Sequence, residues 1–155
     1  MDMSINKLYN YLVTEFFCAL FLCVAFALAG YLNFIPNGWL AGKENVNTAF
    51  IINTVVILFD FFAIWIMVKL FYVKIQKCNK MDNYENAAKI YHNWSIIRLI
   101  FATVAIVMSV MIYYLTLEDL GIYAAAILII IEFIYCLPSK EKINSYVNVP
   151  KNINS

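Results

Sequence analysis

The chain has 155 residues, of which 64% are hydrophobic, 17% are aromatic and only 14% are charged. Soluble domains are typically about half apolar and about a quarter charged, and a water-soluble domain of this length cannot bury so much apolar surface. The composition therefore excludes an ordinary soluble fold and predicts one membrane domain over residues 1–155. The net charge of +1 gives no reason to expect a nucleic-acid partner.

Four apolar segments are long enough, or nearly so, to cross a bilayer as helices, which takes about 20 residues each. They predict an all-α, four-transmembrane-helix bundle with helices at about 8–32, 49–73, 94–116 and 120–137. The connection 33–48 contains proline and glycine and is typical of a turn, whereas 116–120 indicates a tight hairpin. The polar segment 83–93 predicts a helical extension of the third helix, and the asparagine-rich tail at about 145–155 is expected to be disordered.

The distribution of basic residues indicates how the helices are oriented, because cytoplasmic loops carry an excess of lysine and arginine. On one side of the predicted bundle the only lysine is Lys43. The other side carries Lys7, Lys74, Lys77, Lys80, Lys89, Lys140, Lys142 and Lys151. This asymmetry predicts that both termini are cytoplasmic, in a protein of the bacterial inner membrane.

Cysteine and histidine usage argues against a metal or redox site. The chain has four cysteines but no CxxC pair, and its only histidine is His92. A single histidine without a nucleophile elbow offers no catalytic constellation, so we predict a non-enzymatic protein without a metal or a cofactor. The segment Ala27-Leu28-Ala29 matches the pattern of a signal-peptidase site, but the apolar run before it is long enough to span a membrane, which favours a retained helix.

Five ionisable residues lie within the predicted helices, where a charge near the helix centre costs at least ~2.5 kcal/mol and marks a candidate functional site. They are Glu15, Asp60, Lys69, Arg98 and Glu132. Lys69 is close to the cytoplasmic end of its helix and about half a turn out of phase with Asp60, at ~100° per residue. We therefore expect Lys69 to face outward and to reach the headgroups.

Glu15, Arg98 and Glu132 are expected at a similar depth, roughly one to two turns from the cytoplasmic boundary. Each shares a helical face with small residues, which let membrane helices approach closely, so all three side chains are expected to point into the bundle. They predict a buried ionic cluster in which the planar guanidinium engages both carboxylates. Such a cluster either fixes the register of the helices or, through its excess carboxylate, relays protons or cations.

Asp60 lies near the middle of the second helix, with no basic residue at the same depth. Asn53 is about two turns away on the same face, and Ser109 or Thr103 of the third helix is placed to approach Asp60. An aspartate without a cation in hydrocarbon is expected to be protonated. Two interpretations of Asp60, Asn53 and Ser109 stay open: an interhelical hydrogen bond, or a site for a proton or a cation.

Two functional hypotheses are consistent with these features. The first is a non-enzymatic accessory or assembly subunit of a membrane complex, for which the polar segment 83–93 provides a docking surface. The second is a homo-oligomeric, proton-linked small transporter or channel subunit that uses Asp60 and the Glu15/Arg98/Glu132 cluster. Both predict the lipid bilayer as a partner, together with further copies of this chain or another membrane protein.

Overall fold

A computed structural model describes residues 5–34, 38–41, 46–78, 84–117 and 119–147, apart from the side chains at positions 77, 78, 84 and 133. The described residues form helices and no strand. The helices are α1 (Ile5–Tyr31), α2 (Val46–Cys78), α3 (Tyr84–Thr116), α4 (Asp119–Cys136) and α5 (Lys140–Val147). The expectation of an all-α fold is confirmed, and α1 to α4 are long and apolar enough to cross a membrane.

The fifth helix is the main departure from the sequence-based expectation. Residues 145–147, at the start of the tail predicted to be disordered, belong to α5, and 148–155 lie outside the described residues. The prediction was wrong for 145–147 because it considered the asparagines of the tail and not its apolar spacing. Ile143 and Val147 are both buried, and side chains four residues apart share one face of a helix. That face docks the short helix onto the bundle.

The long helices alternate in direction, so the bundle has two distinct ends. We call the end at which α1 and α3 begin the terminal end, and the end that carries the α1–α2 and α3–α4 connections the hairpin end. At the terminal end, α5 packs against α1, α2 and α3. Their shared apolar core comprises Leu8, Leu12, Ile75, Ala87, Ala88, Tyr91, Ile143 and Val147. Both ends of the described chain therefore lie at the terminal end.

The central element of the bundle is α3, which packs against α1, α2 and α4, whereas α2 and α4 meet along a smaller interface. Small side chains allow this arrangement, because Ala102, Ala105 and Ser109 are buried on α3 and small residues let membrane helices approach closely. The outward faces of α1 and α2 instead carry large exposed apolar side chains such as Phe21 and Phe59. These faces suit contact with lipid.

Close packing and hydrogen bonds join the helices at the hairpin end. At Gly30 on α1, an added Cβ would overlap the ring of Tyr114 on α3. The Tyr114 hydroxyl donates to the carbonyl oxygen of Ala27 at 2.8 Å. The N–H of Gly38, in the α1–α2 connection, donates to the Tyr114 carbonyl at 2.8 Å. That bond satisfies one of the carbonyls that the last turn of a helix leaves unpaired.

A close contact near the start of α4 fixes how far α4 slides along α3. At Gly121, an added Cβ would lie 3.1 Å from the carbonyl oxygen of Ser109 and from the Cα of Tyr113, both of which are backbone atoms. Eleven residues separate Gly121 from Glu132 on α4, and eleven separate Ser109 from Arg98 on α3. At 1.5 Å per residue each interval is about 16 Å, so Glu132 and Arg98 arrive at a similar depth.

Candidate intramembrane polar site

Burial distinguishes the five ionisable residues that the sequence places in the interior of the predicted membrane spans. Asp60 and Glu132 are only 4% and 2% exposed, Glu15 and Arg98 are partly buried, and Lys69 is exposed. The Lys69 ammonium lies 5.2 Å from the centre of the Trp65 ring on the outer surface of α2. Lys69 therefore points to the outside of the bundle, whereas Asp60 points to its interior. The candidate site is built from the other four residues.

The first polar group joins α2 to α3. The Ser109 hydroxyl donates to Asp60 Oδ2 at 3.1 Å, and Ser109 is fully buried. Thr103, the other candidate neighbour, donates instead to the carbonyl of Leu99 at 2.8 Å. Asn53 is also fully buried, and neither the oxygen nor the nitrogen of its amide has a hydrogen-bond partner. Asp60 forms no ion pair within the described part of the chain, so one neutral hydroxyl is its polar partner.

The second polar group lies about 16 Å nearer the terminal end, where Arg98 and Glu132 line one pocket between α2, α3 and α4. The pocket has a cavity volume of about 10 Å³, which is room for about one water molecule. Neither carboxylate oxygen of Glu132 has a hydrogen-bond partner. The Arg98 guanidinium stacks 3.8 Å from the centre of the Phe71 ring and hydrogen-bonds with the Cys136 side chain, but its Nε–H has no acceptor. A buried acceptor without a donor is costly, and here it lies beside a cation.

Arg98 also reaches a second small pocket, of about 10 Å³, on the side of α3 that faces α1. Glu15 lines this pocket, but its Oε1 pairs with His92 Nε2 at 3.1 Å, and its Oε2 has no hydrogen-bond partner. Sequence analysis places His92 in the polar extension and gives it no role in the site. The contact depends on how α3 is rotated relative to α1, which no sequence spacing reveals.

The predicted cluster therefore consists of neighbours that are not joined by ion pairs. Arg98 lines one pocket with Glu15 and another with Glu132, yet no ion pair joins it to either carboxylate among the described residues. This geometry differs from a guanidinium that engages both acids at once. The physical reason is that Glu15 of α1 and Glu132 of α4 line two different pockets beside Arg98. In addition, the Phe71 ring covers one face of the guanidinium.

An apolar layer separates the Asp60 group from the Arg98–Glu132 pocket. The interval between them contains buried apolar side chains of one cluster from α1, α3 and α4, which are Cys23, Ala105, Ile106, Ala125 and Leu128. Water and ions cross such a layer only if the helices move, because close-packed apolar side chains leave no room for them. In this conformation the two polar groups are therefore separate sites along α3.

Within the described ranges, no three His, Cys, Asp or Glu side chains come together as a metal site requires. Cys18, Cys23 and Cys136 carry free thiols. Asp60 can hold or release a proton beside a hydroxyl, whereas the Arg98–Glu132 pocket has room for little more than one water molecule.

The fold and the buried groups together define an all-helical protein with four helices suited to a membrane and with acids buried between them. No protein-family model, curated protein or solved structure matches this chain. Function is carried by sites and not by folds, so the chemistry of these buried groups is the basis for a functional proposal.

Proposed function

We propose that this protein is a non-enzymatic, proton-linked small transporter or channel subunit of a bacterial inner membrane, with both termini in the cytoplasm. The observation that carries the proposal is Asp60, a carboxylate with 4% exposure whose partner is the neutral hydroxyl of Ser109. An ionisable residue inside a membrane helix is a candidate for a proton or ion pathway by default. Asp60 has that position without a basic partner among the described residues.

In this proposal, Asp60 exchanges a proton for a cation. The protonated side chain is neutral and tolerates the apolar interface, whereas the carboxylate needs a compensating charge. Asn53 lies on the same face of α2, about 10 Å away at 1.5 Å per residue, and its free amide offers both a donor and an acceptor. A hydrated cation between these two side chains would satisfy the amide and the carboxylate together.

Transport past the apolar layer requires a second conformation, in which α2 has moved against α3 and α4. Small transporters achieve alternating access largely by such rigid-body movement around a fixed site. Four helices are too few to enclose a transport pathway readily. We therefore propose that several copies of the chain form a homo-oligomer. The outward face of α2, with Phe59, Phe62 and Trp65 exposed, is available to a second copy.

The experiment that tests the proposal measures proton flux across a membrane. The purified protein is reconstituted into proton-tight vesicles that contain a pH-sensitive dye, and an inward gradient of Na⁺, K⁺ or tetraethylammonium is imposed. We expect the wild type to move protons outward under at least one gradient and Asp60→Asn to abolish that flux, because an amide cannot exchange a proton. Asp119→Asn removes an exposed carboxylate at the start of α4 and is the matched control, which should retain the flux.

Two outcomes contradict the proposal. One is an Asp60→Asn protein that equals the wild type in flux and in thermal stability. The other is a wild-type protein, folded by gel filtration and circular dichroism, that moves no protons under any of the three gradients.

A second candidate function is an accessory or assembly subunit, which is favoured by the surface of α3 at the terminal end. Asn86, Lys89 and Asn93 are exposed along one face of α3, opposite the buried side chain of Tyr91. Spacings of three and four residues place them in one row, which a partner protein can contact. Weighing the intact complex after gentle extraction from its native membrane separates the candidates, because a stoichiometric foreign chain supports this role and a homo-oligomer supports transport.

A further inference from the structure

Three residues that line the pocket between α1 and α3 each have a buried polar atom without a hydrogen-bond partner in the described part of the chain. These atoms are Oε2 of Glu15, Oγ of Ser95 and Nε of Arg98. Ser95 as a whole is only 6% exposed. The Tyr91 hydroxyl lies close to Ser95, but the two do not form a hydrogen bond of ordinary geometry. Unpaired polar groups inside a protein are costly, and here three of them surround one pocket.

The size and the polarity of this pocket suit one water molecule. Its cavity volume of about 10 Å³ is close to the smallest that holds a water, so the pocket excludes organic ligands. Polar atoms form part of its wall, whereas the wall of the pocket beside Glu132 is almost entirely apolar. A water held inside a protein needs about two to four polar partners. Of the two pockets that Arg98 lines, the one beside Glu15 therefore offers a water its partners.

We propose that a bound water molecule joins Glu15, Ser95 and Arg98 in this pocket. The water donates a hydrogen bond to the carboxylate of Glu15 and accepts one from the Nε–H of Arg98. The Ser95 hydroxyl can donate or accept, so it completes the set of about three hydrogen bonds that a buried water typically makes. One small ligand thus satisfies all three atoms.

The water turns two neighbouring opposite charges into an ion pair that is bridged by solvent. Glu15 belongs to α1, whereas Ser95 and Arg98 belong to α3, so the bridge fastens one helix to the other. The other oxygen of Glu15 pairs with His92 at 3.1 Å, and the His92 side chain is partly exposed. A continuous polar network therefore runs from the surface of α3 through Glu15 and the water to Arg98. The inference does not depend on the proposed function, because a bound water requires no transport.

The first experiment uses Arg98 as a single reporter, because it is the only arginine in the chain. The full chain is isotopically labelled at arginine nitrogen, reconstituted into lipid bilayers and studied by solid-state NMR, in which magnetisation passes from water to nearby N–H groups. The backbone N–H of Arg98, which lies in the middle of α3, is the internal reference. We expect the Nε–H to gain signal several-fold faster than this backbone N–H, because the water lies in contact with it.

Substitutions at Ser95 test whether the water lies in this pocket. Ser95→Val places a methyl group at the position of the water and should lower the transfer to Nε–H to the rate of the backbone N–H. Ser95→Ala removes one partner and should give an intermediate rate, which keeps the test valid if the valine variant does not fold. Thr103→Val is the matched control, because the Thr103 hydroxyl lies outside this pocket and donates to the carbonyl of Leu99. It should leave the rate unchanged.

A crystal structure that resolves ordered waters gives the second test. We expect one density peak at hydrogen-bonding distance, roughly 2.7–3.2 Å, from Glu15, Ser95 and Arg98. The proposal is overturned if the wild-type Nε–H gains signal no faster than the backbone N–H, because the pocket is then dry. It is also overturned if the crystal shows a direct hydrogen bond between Arg98 and Glu15 in place of the peak. Unchanged transfer in Ser95→Val would place the water elsewhere and would likewise contradict this site.

Discussion

The two deeply buried acids of this protein are accommodated in different ways. Asp60 lies in the interface between α2 and α3 and accepts one hydrogen bond from Ser109. It lines neither of the two pockets that Arg98 lines. Glu132 lies between α3 and α4, accepts no hydrogen bond and shares a pocket with Arg98. Both side chains are at most 4% exposed, so burial alone does not distinguish them.

The difference indicates what each acid is suited to do. A carboxyl group with one hydroxyl neighbour is satisfied when it is protonated, so the Asp60 environment favours exchange of a proton within a dry interface. Glu132 lies beside the Arg98 guanidinium, which hydrogen-bonds with the Cys136 side chain, and neither oxygen of Glu132 has a donor, so its burial is unfavourable for folding. The chain therefore buries one acid that has a hydroxyl donor and another that has none, at depths about 16 Å apart.

The largest expected effect comes from breaking the register that places Glu132 beside Arg98. Gly121→Leu puts a side chain against the backbone of α3, where even a Cβ would lie 3.1 Å from its nearest neighbours. We expect the free energy of unfolding to fall by about 3 kcal/mol, at the upper end of the usual cost of overpacking. Denaturation in mild detergent measures this loss.

The matched control for Gly121→Leu is Ala126→Leu, which adds a similar side chain at an exposed position of the same helix. It should change the stability little. If both variants are equally stable, the close contact between α3 and α4 at Gly121 does not determine the register, and the depth match of Glu132 and Arg98 needs another cause.

The next prediction tests the comparison of the two acids directly. Replacement by leucine should change the free energy of unfolding in opposite directions at Asp60 and Glu132. Glu132→Leu removes a buried acceptor without a donor and should raise the free energy of unfolding by about 1–3 kcal/mol. Asp60→Leu leaves the Ser109 hydroxyl without its partner and should lower the free energy of unfolding by about 1 kcal/mol, the order of an interhelical hydrogen bond in a membrane. Detergent denaturation of both variants measures the two changes. If both leucine variants are destabilised, then Glu132 has a partner in the free protein, and the contrast between the two acids is wrong.

The sequence is informative about depth and helical face, because both follow from the regular rise and period of a helix. The position of Lys69 on the outer surface and the burial of Ala102, Ala105 and Ser109 agree with the faces expected from spacing. The Gly121 contact is harder to predict from the sequence, because a single glycine in an apolar segment does not show which neighbouring backbone it contacts. Its role depends on the lateral distance between two helices.

Pairing between helices is the part that sequence spacing could not predict. Glu15 and Arg98 share a depth, yet Glu15 pairs with His92 because the rotation of α3 turns that side chain toward α1. The same limitation applies to the pocket at Glu132, whose existence depends on α2 and α4 having only a small interface. The polar composition of residues 140–147 gives little indication of α5. The docking of this helix depends on two apolar residues, Ile143 and Val147.

The smallest expected effect concerns Glu15. Unlike Asp60 and Glu132, it is not deeply buried, and its side chain pairs with His92. The side chains of Glu15 and His92 are 33% and 21% exposed, so solvent and salt screen their interaction. A double-mutant cycle of Glu15→Gln and His92→Phe should give a coupling energy of about 0.2–1 kcal/mol, as for other accessible pairs, and the coupling should fall at high salt. A coupling near zero would contradict the pairing with His92 and leave Glu15 available to Arg98, in which case Arg98 would be a bridge between two acids.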